Sequence, residues 1–192
     1  MKITARDMLL AQVEDSFVFL KHLIEEYPLL SKKKDEETII FFKKEAEEIA
    51  EGDSEIYNSV YSTLLSYLED SDFKKDLFYQ AMVMLVYSFY ERIIRSLADK
   101  ANESTLIDAI CKAKGITLSN EAIKAKEDIN SNIRILRNQI VHNNFGTLKH
   151  NDDLKRMSKD WPEINCSDSI SILGSDFILD SLKKEKLVLG MF

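Results

Sequence analysis

The sequence predicts an all-α fold. Of its 192 residues 45% are apolar and 31% charged, and only five glycines and two prolines interrupt them. Apolar positions also recur at three- and four-residue intervals along most of the chain, the period of a helix with one buried face. A chain of this length buries roughly 70% of the surface its unfolded form exposes, enough for a single core. One helical domain over 1–192 is therefore expected, with N-terminal helices over 1–70, a core over 72–148 and a C-terminal segment over 149–192 packed on that core. No internal repeat or linker divides the chain in this reading.

Leu9, Leu10, Val13, Phe17, Leu20 and Ile24 predict a first helix over 5–27, stopped by Pro28, because proline disfavours the α conformation in the residue before it. Ile39, Ile40, Phe42, Ala46 and Ile49 predict a second over 32–52, closed by Gly52. Asp53 or Ser54 caps a third, with an inner stripe of Ile56, Val60, Leu64, Leu65 and Leu68 that ends in the acidic LEDSD segment. A fourth starts at Ser71 or Asp72 and runs to about Lys100. Its middle, AMVMLVY at 81–87, is apolar on nearly every face, which marks a central helix, yet it is far shorter than the ~20 residues a bilayer requires.

A short helix over 104–114, capped by Ser104 and closed by Gly115, comes next. Ser119 or Asn120 then opens the helix that carries the principal motif. Beyond Gly146 the pattern predicts a short helix near DDLKRMSKDW, a β-prone SISIL at 169–173 and a last helix from Ser175 to Lys186.

Charge and cysteine content narrow the function. A net charge of −7 excludes a broad basic surface for nucleic acid, since that mode depends on many phosphate neutralisations. One local exception is the segment from Lys112 to Arg137, with six basic and three acidic residues. The N-terminal MKITARDMLLAQVEDS does not read as a secretory signal, which predicts a cytoplasmic protein with Cys111 and Cys166 as free thiols. The three histidines are scattered and no Cys, His or acidic cluster has ligand spacing, so neither a metal site nor a cofactor is expected.

The motif is IRILRNQIVHNNFG, residues 133–146. Ile133, Leu136, Ile140 and Val141 supply a buried face, Asn143, Asn144 and Gly146 end the helix, and Arg137 and His142 are left towards the outside or a cleft. Five residues apart, these two lie about 140° around the helix and ~7.5 Å along it, so they share a site only near a helix end or with a partner subunit. Their chemistry suits phosphodiester cleavage in RNA. A guanidinium binds phosphate through paired hydrogen bonds and offsets the charge of displacement. An imidazole takes the 2′-hydroxyl proton, or gives one to the leaving oxygen, near neutral pH.

The plainer alternative is a helix C-terminus stabilised by cationic side chains. Glu91 is placed to reach a catalytic arginine, but it also lies four residues before Arg95, the spacing of an ordinary helix ion pair. Phe78, Tyr79, Tyr87, Phe89 and Tyr90 read as core or dimer interface, Trp161 as an anchor for the C-terminal segment, and His22 as partly buried packing.

The run Arg137-Asn138-Gln139-Ile140-Val141-His142 resembles the R-x4-6-H motif of the HEPN superfamily, in which a polar residue often follows the arginine. The segment YSFYERIIRSLAD at 87–99 resembles that family's long second core helix, and the likeness covers roughly residues 72–190. It implies a HEPN-like helical bundle with an N-terminal helical extension and a short C-terminal tail. It also implies a metal-independent endoribonuclease acting as a symmetric homodimer, often a toxin or phage-defence effector, with a cognate antitoxin or regulatory protein as a further partner. Arg137 would then bind the scissile phosphate, His142 act as acid and base, and Asn138 orient the histidine or the RNA substrate, with Glu91 and Asn143 in support. A subset of the family carries a modified tyrosine two residues after the histidine, where this chain has Asn144. The alternative within the same resemblance is a non-catalytic module that binds a nucleotide or a partner protein.

Overall fold

A computed structural model describes residues 5–66, 68, 71–98, 106–166 and 170–192. The fold is all-α with one small hairpin. Its elements run α1 (Ala5–Ala50), α2 (Ser54–Ser66), α3 (Ser71–Leu97), α4 (Leu106–Lys114), α5 (Asn120–Ser131), α6 (Ile133–His142), α7 (Asp152–Asp160), β1 (Ile164–Cys166), β2 (Ile170–Ile172) and α8 (Asp176–Leu189). The Ser104 cap expected for α4 lies outside the described residues, as do Glu69 and Asp70 of the acidic break.

The two expected N-terminal helices are one. α1 passes through Pro28 without stopping, although an interior proline costs about 3 kcal/mol through its missing N–H and its ring clash. Contacts on both sides offset that cost. Just before the proline, Tyr27 stacks on Phe78 at 3.6 Å between ring centroids and meets Tyr79 edge-on. Just after it, Lys32–Glu36 and Lys33–Glu37 pair one turn apart, and α2 folds back along the distal half of α1, where Ala46 and Ala50 are buried. Gly52, at φ 93°, makes the turn between them, and the Asp53 carboxylate caps α2 by accepting from the amides of Glu55 and Ile56.

α3 is central, as its apolar middle predicts. Val83 and Val86 are fully buried, Tyr79, Tyr90, Ile93 and Ile94 nearly so, and around them gather Phe17 and Ile24 of α1, Leu136 and Ile140 of α6, and Phe177, Leu182 and Val188 of α8. Trp161 anchors the C-terminal segment as expected, meeting Phe177 edge-on at 5.0 Å. SISIL contributes β2, which pairs antiparallel with β1, a strand the sequence reading missed. The helix expected to run unbroken from Asn120 through the motif is instead broken at Asn132, whose backbone leaves helical geometry at φ −122° and ψ −83°. The break lets Ala122, Ala125 and Ile129 of α5 face the core in one direction and Ile133, Leu136 and Ile140 of α6 in another. His22 is exposed, 4.0 Å from Glu26, because α1 turns its opposite side to the core.

One polar node lies inside this apolar frame. The buried Asp76 carboxylate accepts from the Ile172 amide at 2.6 Å and from Gln80 Nε2 at 2.8 Å, and that same nitrogen reaches the Gly146 carbonyl at 3.5 Å. Asp76 thereby joins α3, the hairpin and the loop that leaves the motif helix. Its replacement by alanine leaves a buried amide without a partner, so Asp76→Ala is expected to lower unfolding free energy by about 2 kcal/mol in urea titrations. A loss below about 0.5 kcal/mol, the scale of a surface substitution, would show that the node is dispensable.

Candidate functional site

α6 buries Ile133, Leu136 and Ile140 and turns Arg134, Arg137 and Asn138 sideways along α3. Val141, expected in the buried face, is 39% exposed. Arg137 is held on several sides. Its Nη1 donates to Asn138 Oδ1 at 3.0 Å, its Nη2 lies 3.8 Å from Glu91 Oε2, and its guanidinium carbon stands 5.7 Å from the centroid of the Tyr87 ring. A cation over an aromatic face gains electrostatic stabilisation from the ring quadrupole. Arg137 Nε is buried and has no hydrogen-bond partner among the described residues.

Glu91 serves two arginines at once. Its Oε1 accepts from Arg95 Nε at 3.2 Å and Nη2 at 2.9 Å, the expected helix pair, while Oε2 faces Arg137. The carboxylate neutralises part of the local positive charge and fixes where both guanidinium groups lie.

Asn138 orients Arg137 rather than His142. Asn143 is a cap: its Nδ2 donates to the Gln139 carbonyl at 2.6 Å, and its backbone N–H points to the same carbonyl at 3.1 Å. The chain then turns through Asn144 and Phe145 at φ 50° and 57°, and the Gly146 amide closes the turn on the Asn143 carbonyl at 2.8 Å. A Cβ at Gly146 would stand 2.9 Å from that same carbonyl oxygen, so the turn requires glycine. His142 occupies the last turn of α6 and is exposed. Among the described residues, no hydrogen bond, ion pair or ring contact joins it to Arg137, Asn138 or Glu91. The structure thus assembles Arg137, Asn138 and Glu91 and leaves His142 apart.

Tyr87 is the residue that sequence reasoning placed only as core or interface. It lies one turn before Glu91 on α3, and that i,i+4 relation was the available signal. Burial raises its hydroxyl above the ordinary tyrosine range, with Arg134 and Arg137 pulling it down and Glu91 and Glu185 pushing it up. Beside it is a cavity of about 30 Å³ lined by Tyr87, Tyr90, Glu91, Ile107, Lys126 and Asn130. Tyr90 presents a buried hydroxyl with no partner among the described residues, raised far above its ordinary range by burial and by the nearby Glu185. A groove of about 540 Å³ between α1 and α3, lined by Gln12, Asp15, Arg92 and Ser96, includes neither Arg137 nor His142.

Among the described residues, no group of three or more His, Cys, Asp or Glu side chains is placed to hold a metal ion, and no helix is long and apolar enough to cross a membrane. Cys111 and Cys166 are unpaired thiols. No family model, curated protein or solved structure matches the chain.

Behind the site, Glu185 of α8 is fully buried and neither carboxylate oxygen has a hydrogen-bond partner among the described residues. Burial pushes its carboxyl well above the ordinary glutamate range. Folding therefore favours the protonated form of this carboxyl over the ionised one. The stability this group contributes is present in acid and is lost as pH rises from the ordinary glutamate range through the raised folded value. As pH rises above the ordinary glutamate range the wild-type melting temperature should fall, and Glu185→Gln should flatten that fall by removing the titrating proton. Asp76, also raised by burial, keeps a residual slope of the same sign. An unchanged pH profile in Glu185→Gln would show that Glu185 ionises in the fold.

Proposed function

We propose that the protein is a metal-independent endoribonuclease of HEPN type in which Arg137 clamps the scissile phosphate and His142 moves the proton. The observation that carries the reading is the guanidinium of Arg137, held by Asn138, Glu91 and Tyr87 at the margin of α6, in an Arg-Asn-x-x-x-His run whose histidine stands in solvent. A guanidinium fixed before substrate arrives loses little rotamer entropy on meeting a phosphate and stabilises charge that grows during displacement.

In this scheme the 2′-oxygen of RNA attacks the adjacent phosphorus while an imidazole accepts its proton. The bond to the 5′-oxygen breaks, that oxygen takes a proton, and the products are a 2′,3′-cyclic phosphate and a 5′-hydroxyl. His142 and Arg137 are not in contact within one chain, so a second copy is needed to bring a histidine to each arginine. Phe73, Leu77 and Leu85 of α3, with Val141 and Phe145 at the end of α6, are 39% to 62% exposed and offer an apolar face for that two-fold pairing. The acidic chain limits contact with RNA to the neighbourhood of the motif, which favours single-stranded regions whose bases splay and stack. A role as toxin or phage-defence effector, controlled by an antitoxin or regulatory protein, follows from the resemblance alone.

A second reading rests on the Glu91 carboxylate, which neutralises part of the charge a phosphate needs, and on the distance of His142 from Arg137. It makes the chain a non-catalytic module for a nucleotide or a partner protein. Cleavage assays separate the two. Arg137→Ala and His142→Ala should each reduce cleavage of single-stranded RNA by at least about 100-fold, with helicity unchanged, and Asn138→Ala should reduce it less. Activity should persist in EDTA, because Arg137 supplies the electrostatic role of a metal. Full activity in both alanine variants, or its loss in EDTA, would overturn the proposal.

A further inference from the structure

Contrary to the expectation of a chain without repeats, α1 carries a recurrence every eleven residues. The apolar pairs Val18-Phe19, Leu29-Leu30 and Ile40-Phe41 repeat at that interval, and so do the acidic pairs Glu14-Asp15, Glu25-Glu26, Glu36-Glu37 and Glu47-Glu48. Basic residues keep the same step, with Lys21-His22, Lys32-Lys33 and Lys43-Lys44. Eleven residues advance a helix by about three turns plus 20°, so successive units fall almost in line along a straight helix. All six apolar side chains are 55% to 68% exposed. Val18 borders a groove against Leu182 and Lys186 of α8; the other five lie away from the side on which α1 packs, and the stripe is covered by no other element among the described residues.

Between the apolar pairs the same face carries ion pairs one turn apart: His22–Glu26 at 4.0 Å, Lys33–Glu37 at 3.9 Å and Lys44–Glu48 at 3.5 Å. The stripe therefore reads apolar, basic, acidic, three times in succession. Such an order is self-complementary when reversed. If α1 meets another α1 antiparallel, with the two-fold axis passing between Leu29 and Leu30, Leu29 faces Leu30, Val18 faces Phe41 and Phe19 faces Ile40. In that register Lys33 faces Glu26, Lys44 faces Asp15 and His22 faces Glu37, and every apolar pair is covered at once. A parallel pairing in register would set lysine against lysine and glutamate against glutamate.

We propose that the exposed face of α1 is an isologous interface that joins two copies of this chain through antiparallel α1 helices. This surface is distinct from the α3 and α6 face and does not depend on the catalytic reading. The interleaved acidic residues disfavour an anionic lipid surface, which draws on basic residues without intervening acids.

The test uses the full chain with Cys111→Ser and Cys166→Ser, so that introduced thiols report alone. Phe19→Cys combined with Ile40→Cys should form an interchain disulfide under mild oxidation, and each substitution alone should not. Within one helix these positions are about 31 Å apart, so any link joins two copies. In sedimentation at micromolar concentration, with Cys111 and Cys166 retained, Leu29→Glu with Leu30→Glu should halve the assembly mass relative to wild type without loss of helicity. Lys33→Glu should weaken association at least tenfold, and adding Glu26→Lys should restore it. A link formed by Ile40→Cys alone, no link in the double variant, or a mass unchanged by the glutamate pair would overturn the proposal. So would a wild-type chain that does not self-associate and instead binds vesicles of anionic lipid.

Discussion

The Asp76 carboxylate is the constraint on which the rest of the body depends. A helix as apolar as α3 presents little that distinguishes one angular setting of its neighbours from another, because dispersion and apolar burial are not directional. Asp76 removes that freedom. Its oxygens require donors at fixed positions, and they take them from the hairpin amide of Ile172 and from Gln80. Burial without those donors would be expensive, so the register of the C-terminal hairpin on α3 is set by one acid. Gln80 carries the constraint onward to the Gly146 carbonyl, and hence to the place where the motif helix ends.

Much of this fold was legible because helix periodicity and cap chemistry are local. The Asp53 and Ser119 caps and the Gly52 and Gly115 turns follow from residues within a few positions of one another, and the central position of α3 from its continuous apolar middle. What escaped was decided at a distance. Pro28 signals a stop on local grounds and is overruled by the stacking of Tyr27 on Phe78, some fifty positions away. Asn132 breaks a helix because the α5 and α6 stripes must face different neighbours, which no window of sequence displays. His22 reads as packing from its apolar neighbours in sequence, but the core lies on the other side of α1.

The candidate site divides in the same way. The run from Arg137 to Gly146 is visible as a sequence pattern, and so is the Glu91–Arg95 pair. The placement of Tyr87 beneath the guanidinium depends on how α3 and α6 pack, and the attachment of Asn138 to Arg137 rather than to His142 depends on which rotamer that packing allows. The outcome is an arginine constrained on several sides beside a histidine with no such constraint. Arg137 behaves as part of the scaffold, whereas the position of His142 is open to whatever docks at the end of α6.

The path of the chain through this fold also orders its assembly in time. The arm formed by α1 and α2 is closed by contacts between neighbours in sequence, and loops of that kind lose little entropy on closing. The body is different: Ile172 reaches back 96 residues to Asp76, and α8 fills the space between α3 and α5 with Phe177, Leu182 and Val188. During synthesis the arm is free to form as soon as Ser66 has emerged, while the core stays open until α8 has been made. For that interval the chain presents a finished helical hairpin ahead of an unfinished globule. The first surface of a nascent molecule to take native form is therefore the outer face at the distal end of α1, where α2 folds back on it.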